Sequence, residues 1–420
     1  MARTAFFNVA GTIAAGAAGI IIARALGPSS RGEYAAITAW FGAAFTVAEL
    51  GLTAATTFFV ARDSRLAPHY LATARNLLIT SGVLMAAIGM LAAGFLAPGN
   101  GTAALGYRIA FLTCLASMFT VSYLASMQAF DISRWNLIRI SQPGLYLAVV
   151  ALLHLTGDLG LTTAVTALSI TTIAQSALAY LISRGQRLTG GHAALTLARP
   201  MIRYGMAQFA SSVPILVTAR LDQLVLSLTV APAALGNYAI AATLAALAVP
   251  IVSALGHVIF PRLASQALSE SGADRLQRRA VLAAAGVGGA LTLVLAISAP
   301  LLVPAIFGAG YRDAIPLVWL LAPGAVFTAC CQVCGDLLRG HGRPLAVARA
   351  QGFAAVVTVV LLATLLPVLG VTGAALASSA ANGVALLMML QALRKPSVES
   401  RATAAAPVRP AAQPGAHDLP

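Results

Sequence analysis

A chain of 420 residues that is 59% hydrophobic and only 9% charged, with a mean hydropathy of +0.87, has too little polar surface to cover a water-soluble globule. It belongs in a bilayer, so its formal charge of +14 has to be read by position and not as a nucleic-acid footprint. Cys114 stands alone and Cys330, Cys331 and Cys334 share one predicted helix without a histidine or a second cysteine pair nearby, which points to small apolar packing; no metal and no cofactor is expected.

A spanning helix needs ~20 mostly apolar residues, because lipid offers backbone N–H and C=O groups no partner. Twelve such segments can be counted, centred on residues 5 to 25, 34 to 60, 75 to 97, 106 to 130, 136 to 155, 161 to 182, 202 to 228, 234 to 260, 279 to 303, 314 to 338, 345 to 366 and 371 to 393. The first follows Arg3 but is too long for a signal h-region and ends in Arg24, with no small-residue cleavage site, so it reads as retained.

After the first segment the chain turns through Gly27-Pro28-Ser29-Ser30-Arg31-Gly32, and this turn returns later. An offset of 204 residues carries Pro28, Gly32, Tyr34 and Ala35 onto Pro232, Gly236, Tyr238 and Ala239. Without a gap it also carries Gly106-Tyr107-Arg108 onto Gly310-Tyr311-Arg312, Arg75 onto Arg279, Gln128 onto Gln332 and Arg139 onto Arg343. Six helices per copy is an even number, so both copies enter the membrane from one side and are related by an axis along its normal. The fold class expected is all-α integral membrane, with about 12 transmembrane helices in two parallel six-helix repeats facing each other across a cleft.

The domains expected are an N-terminal six-helix lobe over 1–182, a cytoplasmic linker over 183–201, a C-terminal six-helix lobe over 202–393 and a disordered cytoplasmic tail over 394–420. The linker is the longest polar break between the first and last helices and holds Gly185, Gly190, Gly191 and Pro200.

Most of the 26 basic residues lie in the two terminal segments and in the loops after even-numbered helices, among them Arg62, Arg65, Arg184, Arg199, Arg275, Arg339 and Arg394. The opposite face has Arg31, Arg108 and Arg312. This positive-inside pattern puts both termini in the cytoplasm. Loops on the outer side, such as Val230 to Leu235, leave no room for a catalytic domain, and the chain has no G-x-x-x-x-G-K-[ST], G-x-S-x-G or H-E-x-x-H. An enzyme is therefore not expected, and energy would come from an ion gradient, the membrane potential or the substrate's own gradient.

Charged side chains inside the membrane cost on the order of 2.5–3.5 kcal/mol each on insertion scales, so they normally face a cavity or a partner. The candidates are Arg24 in helix 1, Glu49 in helix 2, and Arg220 and Asp222 in helix 7, with Asp131 and Asp336 nearer helix ends. Under the 204 offset these four meet Leu228, Ser253, Gly16 and Ala18, so each charge occurs in one copy only. Helices 1, 2 and 7 are the expected cavity lining. Two readings stand for Arg24, snorkelling to the outer interface or facing the cavity. Two also stand for Arg220 and Asp222, which either pair as buried glue with each other or with Glu49, or handle substrate or protons. His257, just before Phe260-Pro261, reads as packed or cytoplasm-facing, and Gln128, Gln208, Gln332 and Asn382 as interhelical hydrogen-bonding residues.

Ala23-Arg24-Ala25-Leu26-Gly27-Pro28, Gly32-x-Tyr34 and Glu49-Leu50-Gly51-Leu52 together resemble the opening of bacterial polysaccharide-unit flippases (Wzx-type) in the multidrug/oligosaccharidyl-lipid/polysaccharide exporter superfamily. Arg220-Leu221-Asp222, followed by Gly236-x-Tyr238, resembles the start of that family's second lobe, and Phe260-Pro261 the end of helix 8. The resemblance spans the twelve-helix region and implies a V-shaped, two-lobed transporter of the bacterial cytoplasmic (inner) membrane. Its substrate would be an undecaprenyl-pyrophosphate-linked oligosaccharide moved to the periplasmic leaflet for surface polysaccharide synthesis. Partners implied are that lipid-linked oligosaccharide, membrane lipids, and the polysaccharide polymerase and glycosyltransferases of the same pathway, with no nucleic acid.

The cationic cavity of that family suits Arg24 and Arg220 as substrate-binding residues, with Glu49 and Asp222 tuning them or carrying a coupling cation. Rivals are a drug or organic-cation antiporter of the same superfamily and a lipid II flippase, which typically carries two further helices. A membrane glycosyltransferase or polymerase would show a large outer loop with catalytic acids.

Overall fold

The computed structural model describes residues 2–247 except 187, residues 249 and 252, and residues 270–394 except 342. His257, Phe260-Pro261 and the expected tail lie outside the described residues.

Twelve α-helices are described, running in chain order as α1 (Ala2–Glu49), α2 (Leu52–Arg62), α3 (Ala67–Leu96), α4 (Gly101–Phe130), α5 (Ile132–Thr156), α6 (Leu161–Gly185), α7 (Leu195–Thr229), α8 (Pro232–Ala246), α9 (Glu270–Phe307), α10 (Ala314–Gly340), α11 (Pro344–Leu369) and α12 (Val371–Arg394). Among the described residues ten helical stretches are long and apolar enough to cross a membrane, the first being Phe6–Glu49. That first stretch holds two expected segments joined at Gly27, whose φ of 71° and ψ of 175° break the helix ahead of Pro28. With these counted apart, and with α8, each of the twelve expected segments holds a helix among the described residues. The large apolar residues on the outside, such as Leu91, Phe95, Leu155 and Val368, are about as exposed as side chains can be, which only a lipid solvent tolerates in such number.

The first and second helices are divided differently from the expectation. Helix 2 runs from Pro28 but is interrupted at Leu50 and Gly51, whose φ angles of 51° and 68° are both left-handed, and resumes as α2. Helix 7 begins at Leu195, earlier than the residue 202 expected, so its 35 residues are about 52 Å long and outreach a ~30 Å hydrocarbon core. The connection before it is not slack. Leu188 is buried and the Ala194 N–H donates to Thr73 Oγ1 at 3.1 Å, so the link docks on the start of α3.

Packing divides the molecule by depth. At the end of the bundle carrying Pro28 and Pro232, one core runs through both repeats, from Ile22, Tyr34 and Tyr107 to Tyr238, Phe307 and Tyr311. Toward the opposite end it splits. Tyr123, Met127 and Ile138 belong to one cluster of the first repeat, whereas Cys330, Val333 and Leu337, with Cys334 and Met389 beside them, form separate clusters of the second. Two lobes joined at one end and separate at the other make a V. The start of α7 closes part of the gap, because Met201 packs with Leu52, Ala55 and Leu78 of the first lobe and Tyr204 stacks on Phe58 at 4.7 Å.

The repeated turn makes the join. A Cβ on Gly32 would lie 1.7 Å from the Pro232 carbonyl oxygen, and one on Gly236 would lie 2.0 Å from the Pro28 carbonyl oxygen. The two copies of Pro-x-x-x-Gly thus cross backbone to backbone, each supplying its glycine to the other's proline carbonyl. The Tyr311 hydroxyl adds a hydrogen bond across the lobes to the Ala23 carbonyl at 2.8 Å. Gly32→Val and Gly236→Val should each cost about 1–3 kcal/mol by overpacking this crossing. Gly42→Val on the same helix, where a Cβ meets nothing within 4 Å, should cost less. Thermal unfolding of the detergent-solubilised protein compares the three.

Candidate functional site

A polar concavity lies inside the second lobe, between α7, α8, α10, α11 and α12, and has a volume of about 580 Å³. Arg220, Asp222, Gln223, Tyr238, Gln332 and Asn382 carry its chemistry. It runs lengthwise in the lobe, from Asp222 and Tyr238 near the joined end to Arg339 near the open end.

Asp222 is 7% exposed and does not stand alone. Its Oδ2 accepts a hydrogen bond from the Tyr238 hydroxyl and its Oδ1 one from the Gln223 N–H at 2.7 Å. A carboxylate taken out of water needs such donors. Arg220, two residues earlier on α7, is exposed to the cavity and forms no ion pair with Asp222. Cation and acid share the chamber without neutralising each other by contact.

The repeat places a different pair at the same register of the first lobe. Tyr34, the counterpart of Tyr238, bonds the Tyr146 hydroxyl at 2.7 Å, and the position matching Asp222 is Ala18, which is buried in the shared core. A tyrosine pair in one lobe thus stands against a tyrosine–aspartate pair in the other.

Glu49 lies elsewhere. Its Oε1 accepts from the Thr53 N–H at 3.1 Å, capping α2 across the break at Leu50 and Gly51. It also lines a smaller pocket of about 230 Å³ between the lobes, with Gln128, Gln208 and Ser212. The break itself serves close approach, since a Cβ on Gly51 would sit 2.2 Å from the Gly205 carbonyl oxygen of α7. Arg24 is exposed on α1, one residue from the Ala23 carbonyl that receives Tyr311, and lines neither cavity. The structure therefore brings Arg220 and Asp222 together and leaves Glu49 and Arg24 apart from them and from each other. The first cavity is lined by helix 7 with other helices of the second lobe, and the smaller pocket by helices 2 and 7 with Gln128 of α4.

Gln332 and Asn382 entered the sequence reading as helix glue, and Tyr238 only as a repeat match. One signal was available: Gln128 and Gln332 coincide under the 204 offset, and each lines one of the two cavities.

A family model described as "Polysaccharide biosynthesis protein" matches residues 4–267, more than half of the chain. No curated protein sequence matches it. Among solved structures, the inward-facing conformation of a multidrug resistance MATE family transporter of the MOP superfamily superposes with a TM-score of 0.77 at 16% identity, covering 94% of this chain and 96% of that one. The lipid II flippase MurJ in an inward closed conformation gives 0.78 at 11% identity, covering 93% and 87%. An outward-facing MATE conformation gives 0.62 at 17% identity, covering 96% and 94%. The sequence match over residues 4–267 and the two-lobed arrangement of twelve helices agree, and the chain belongs to the polysaccharide biosynthesis protein family, with the fold of MOP superfamily transporters.

Proposed function

We propose that this protein is a flippase, not an enzyme, that moves an undecaprenyl-pyrophosphate-linked oligosaccharide from the cytoplasmic to the periplasmic leaflet of a bacterial inner membrane. The observation that carries the reading is the cavity that joins Arg220 to a set of amide and hydroxyl side chains inside a lobe of a polysaccharide-family transporter. Its volume of about 580 Å³ falls in the ~300–1,000 Å³ range of small-ligand sites and suits a few sugar or phosphate groups.

The difficulty of the task is electrostatic. A diphosphate and its sugars have to pass ~30 Å of hydrocarbon, while the polyprenyl tail is at home there. A polar cavity with an unpaired guanidinium replaces the water that the anion gives up, and arginine's fork of donors suits phosphate oxygens. Arg24 on the first lobe is the second cation offered to the substrate as the lobes rock. Asp222, held by Tyr238 close to Arg220, tunes that cation or exchanges its hydrogen bond for a coupling ion, and Glu49 does the same from the inter-lobe pocket. The basic loops of the sequence orient the termini to the cytoplasm and the Pro28 crossing to the periplasm. A buried acid beside the cavity also suits an organic-cation antiporter, which the transport assay separates.

Deleting the gene should leave undecaprenyl-pyrophosphate-linked saccharide on the cytoplasmic face and reduce surface polysaccharide. An unchanged leaflet distribution together with retained organic cations would select the antiporter. Arg220→Ala should lower flipping about tenfold to a hundredfold, the effect of losing a charge-assisted hydrogen bond of ~1.5–3 kcal/mol, while Arg220→Lys should keep most of it. Arg24→Ala and Arg24→Lys should differ in the same direction. Tyr238→Phe removes the hydroxyl that holds buried Asp222 and should destabilise the protein by about 1–3 kcal/mol, whereas the Tyr238→Phe, Asp222→Leu double variant should recover part of that loss in thermal unfolding.

A further inference from the structure

Outside the cavity, one charged side chain is held at the seam between the lobes without an ion pair among the described residues. Arg31 immediately precedes Gly32, where the two lobes touch backbone to backbone. Its Nε is fully buried without a hydrogen-bond partner, and its guanidinium carbon lies 5.3 Å from the centre of the Tyr34 ring. Among the described residues it forms no ion pair. The ionisable groups that act on it are Tyr34 and Tyr146 of the first lobe and Tyr311 of the second, with no acid among them. Glu33, two residues on, is engaged by the Asn100 side-chain amide at 2.7 Å. Arg108 and Arg312, the other basic residues of this face, are exposed.

A guanidinium half-withdrawn from water on a tyrosine face keeps only part of its solvation, because a ring offers a weak substitute for a hydrogen-bond acceptor. The arrangement is stable only while the lobes enclose it. When they part here, Tyr311 has to release the Ala23 carbonyl, since the two belong to opposite lobes. A hydroxyl donor and a guanidinium then face the same opening with nothing bound.

We propose that Arg31, assisted by Tyr311, is an anion-receiving residue on the exit side of the path, which binds phosphate or diphosphate oxygens when the lobes separate at the Pro28 crossing. The inference rests on the flippase reading and adds to it a second phosphate station. Arg220 would hold the diphosphate while this end is closed, and Arg31 would take it as the end opens. Once the anion leaves, the guanidinium returns to the Tyr34 ring and the seam can close, so closure follows release.

The test uses the full-length protein in lipid nanodiscs, with its four cysteines replaced and spin labels at Ser29 and Ala233, both exposed beside the crossing. Inorganic diphosphate and undecaprenyl diphosphate are the two probes. In the parent, one or both should move the Ser29–Ala233 distance distribution toward the longer, open population. Response to both assigns the site to the diphosphate group itself, and response to the lipid alone to the carrier-linked form. Arg31→Gln should weaken that response about tenfold, Arg31→Lys should retain part of it, and Arg108→Gln should leave it unchanged, with melting temperatures confirming that each variant folds. If undecaprenyl diphosphate opens Arg31→Gln as readily as the parent but fails with Arg220→Ala, the exit station is wrong and the flippase reading stands. If neither probe binds the parent, both are wrong.

Discussion

Two glycines set the architecture. Gly32 and Gly236 cross so closely that neither tolerates a Cβ, and each lies four residues after the proline whose carbonyl the other meets. Lipid tails are as apolar as leucine, so helices in a bilayer gain little from hiding apolar surface and associate through close packing, which small residues permit. The crossing fuses the two repeats at one end and frees them at the other. The single core there and the divided cores at the far end are its consequence.

A hinge of this kind explains where polar residues are placed. The chamber of Arg220 and Asp222 is sheltered inside the second lobe and begins near the fused end, where the first lobe has the Tyr34–Tyr146 pair. Glu49 and Gln128 instead line the gap between the lobes, where α7 leans on the first lobe through Gly205 and Tyr204. One element, α7, therefore touches both cavities, packing against the first lobe at its start and carrying Asp222 into the second near its end. Motion of one lobe against the other cannot leave it unaffected, and Pro214 between the two contacts removes one backbone hydrogen bond where it would have to bend.

Much of this was legible in the chain. Twelve apolar stretches, the +204 register and the Pro-x-x-x-Gly-x-Tyr signature dictated helices, lobes and family resemblance, because segment length and repeat spacing are local properties. The four membrane charges stood out for the same reason. Their grouping did not. Glu49 reads as a cavity acid by composition, and its carboxylate also caps the helix that resumes at Leu52, past a break where α7 approaches closely. Arg31 reads as an ordinary residue of an outer turn, and its isolation comes only from Tyr34, Tyr146 and Tyr311 converging from distant points of the chain.

The sequence by itself determined that this is a membrane protein of two parallel repeats in the polysaccharide biosynthesis family, since hydropathy and register need no partner to be expressed. Only the tertiary structure decided that Asp222 is held by Tyr238 and that Arg220 shares its chamber while Arg24 does not. The reason is physical. The cost of a charge depends on what surrounds it, and part of the surroundings of Asp222 and Arg31 is supplied by other helices.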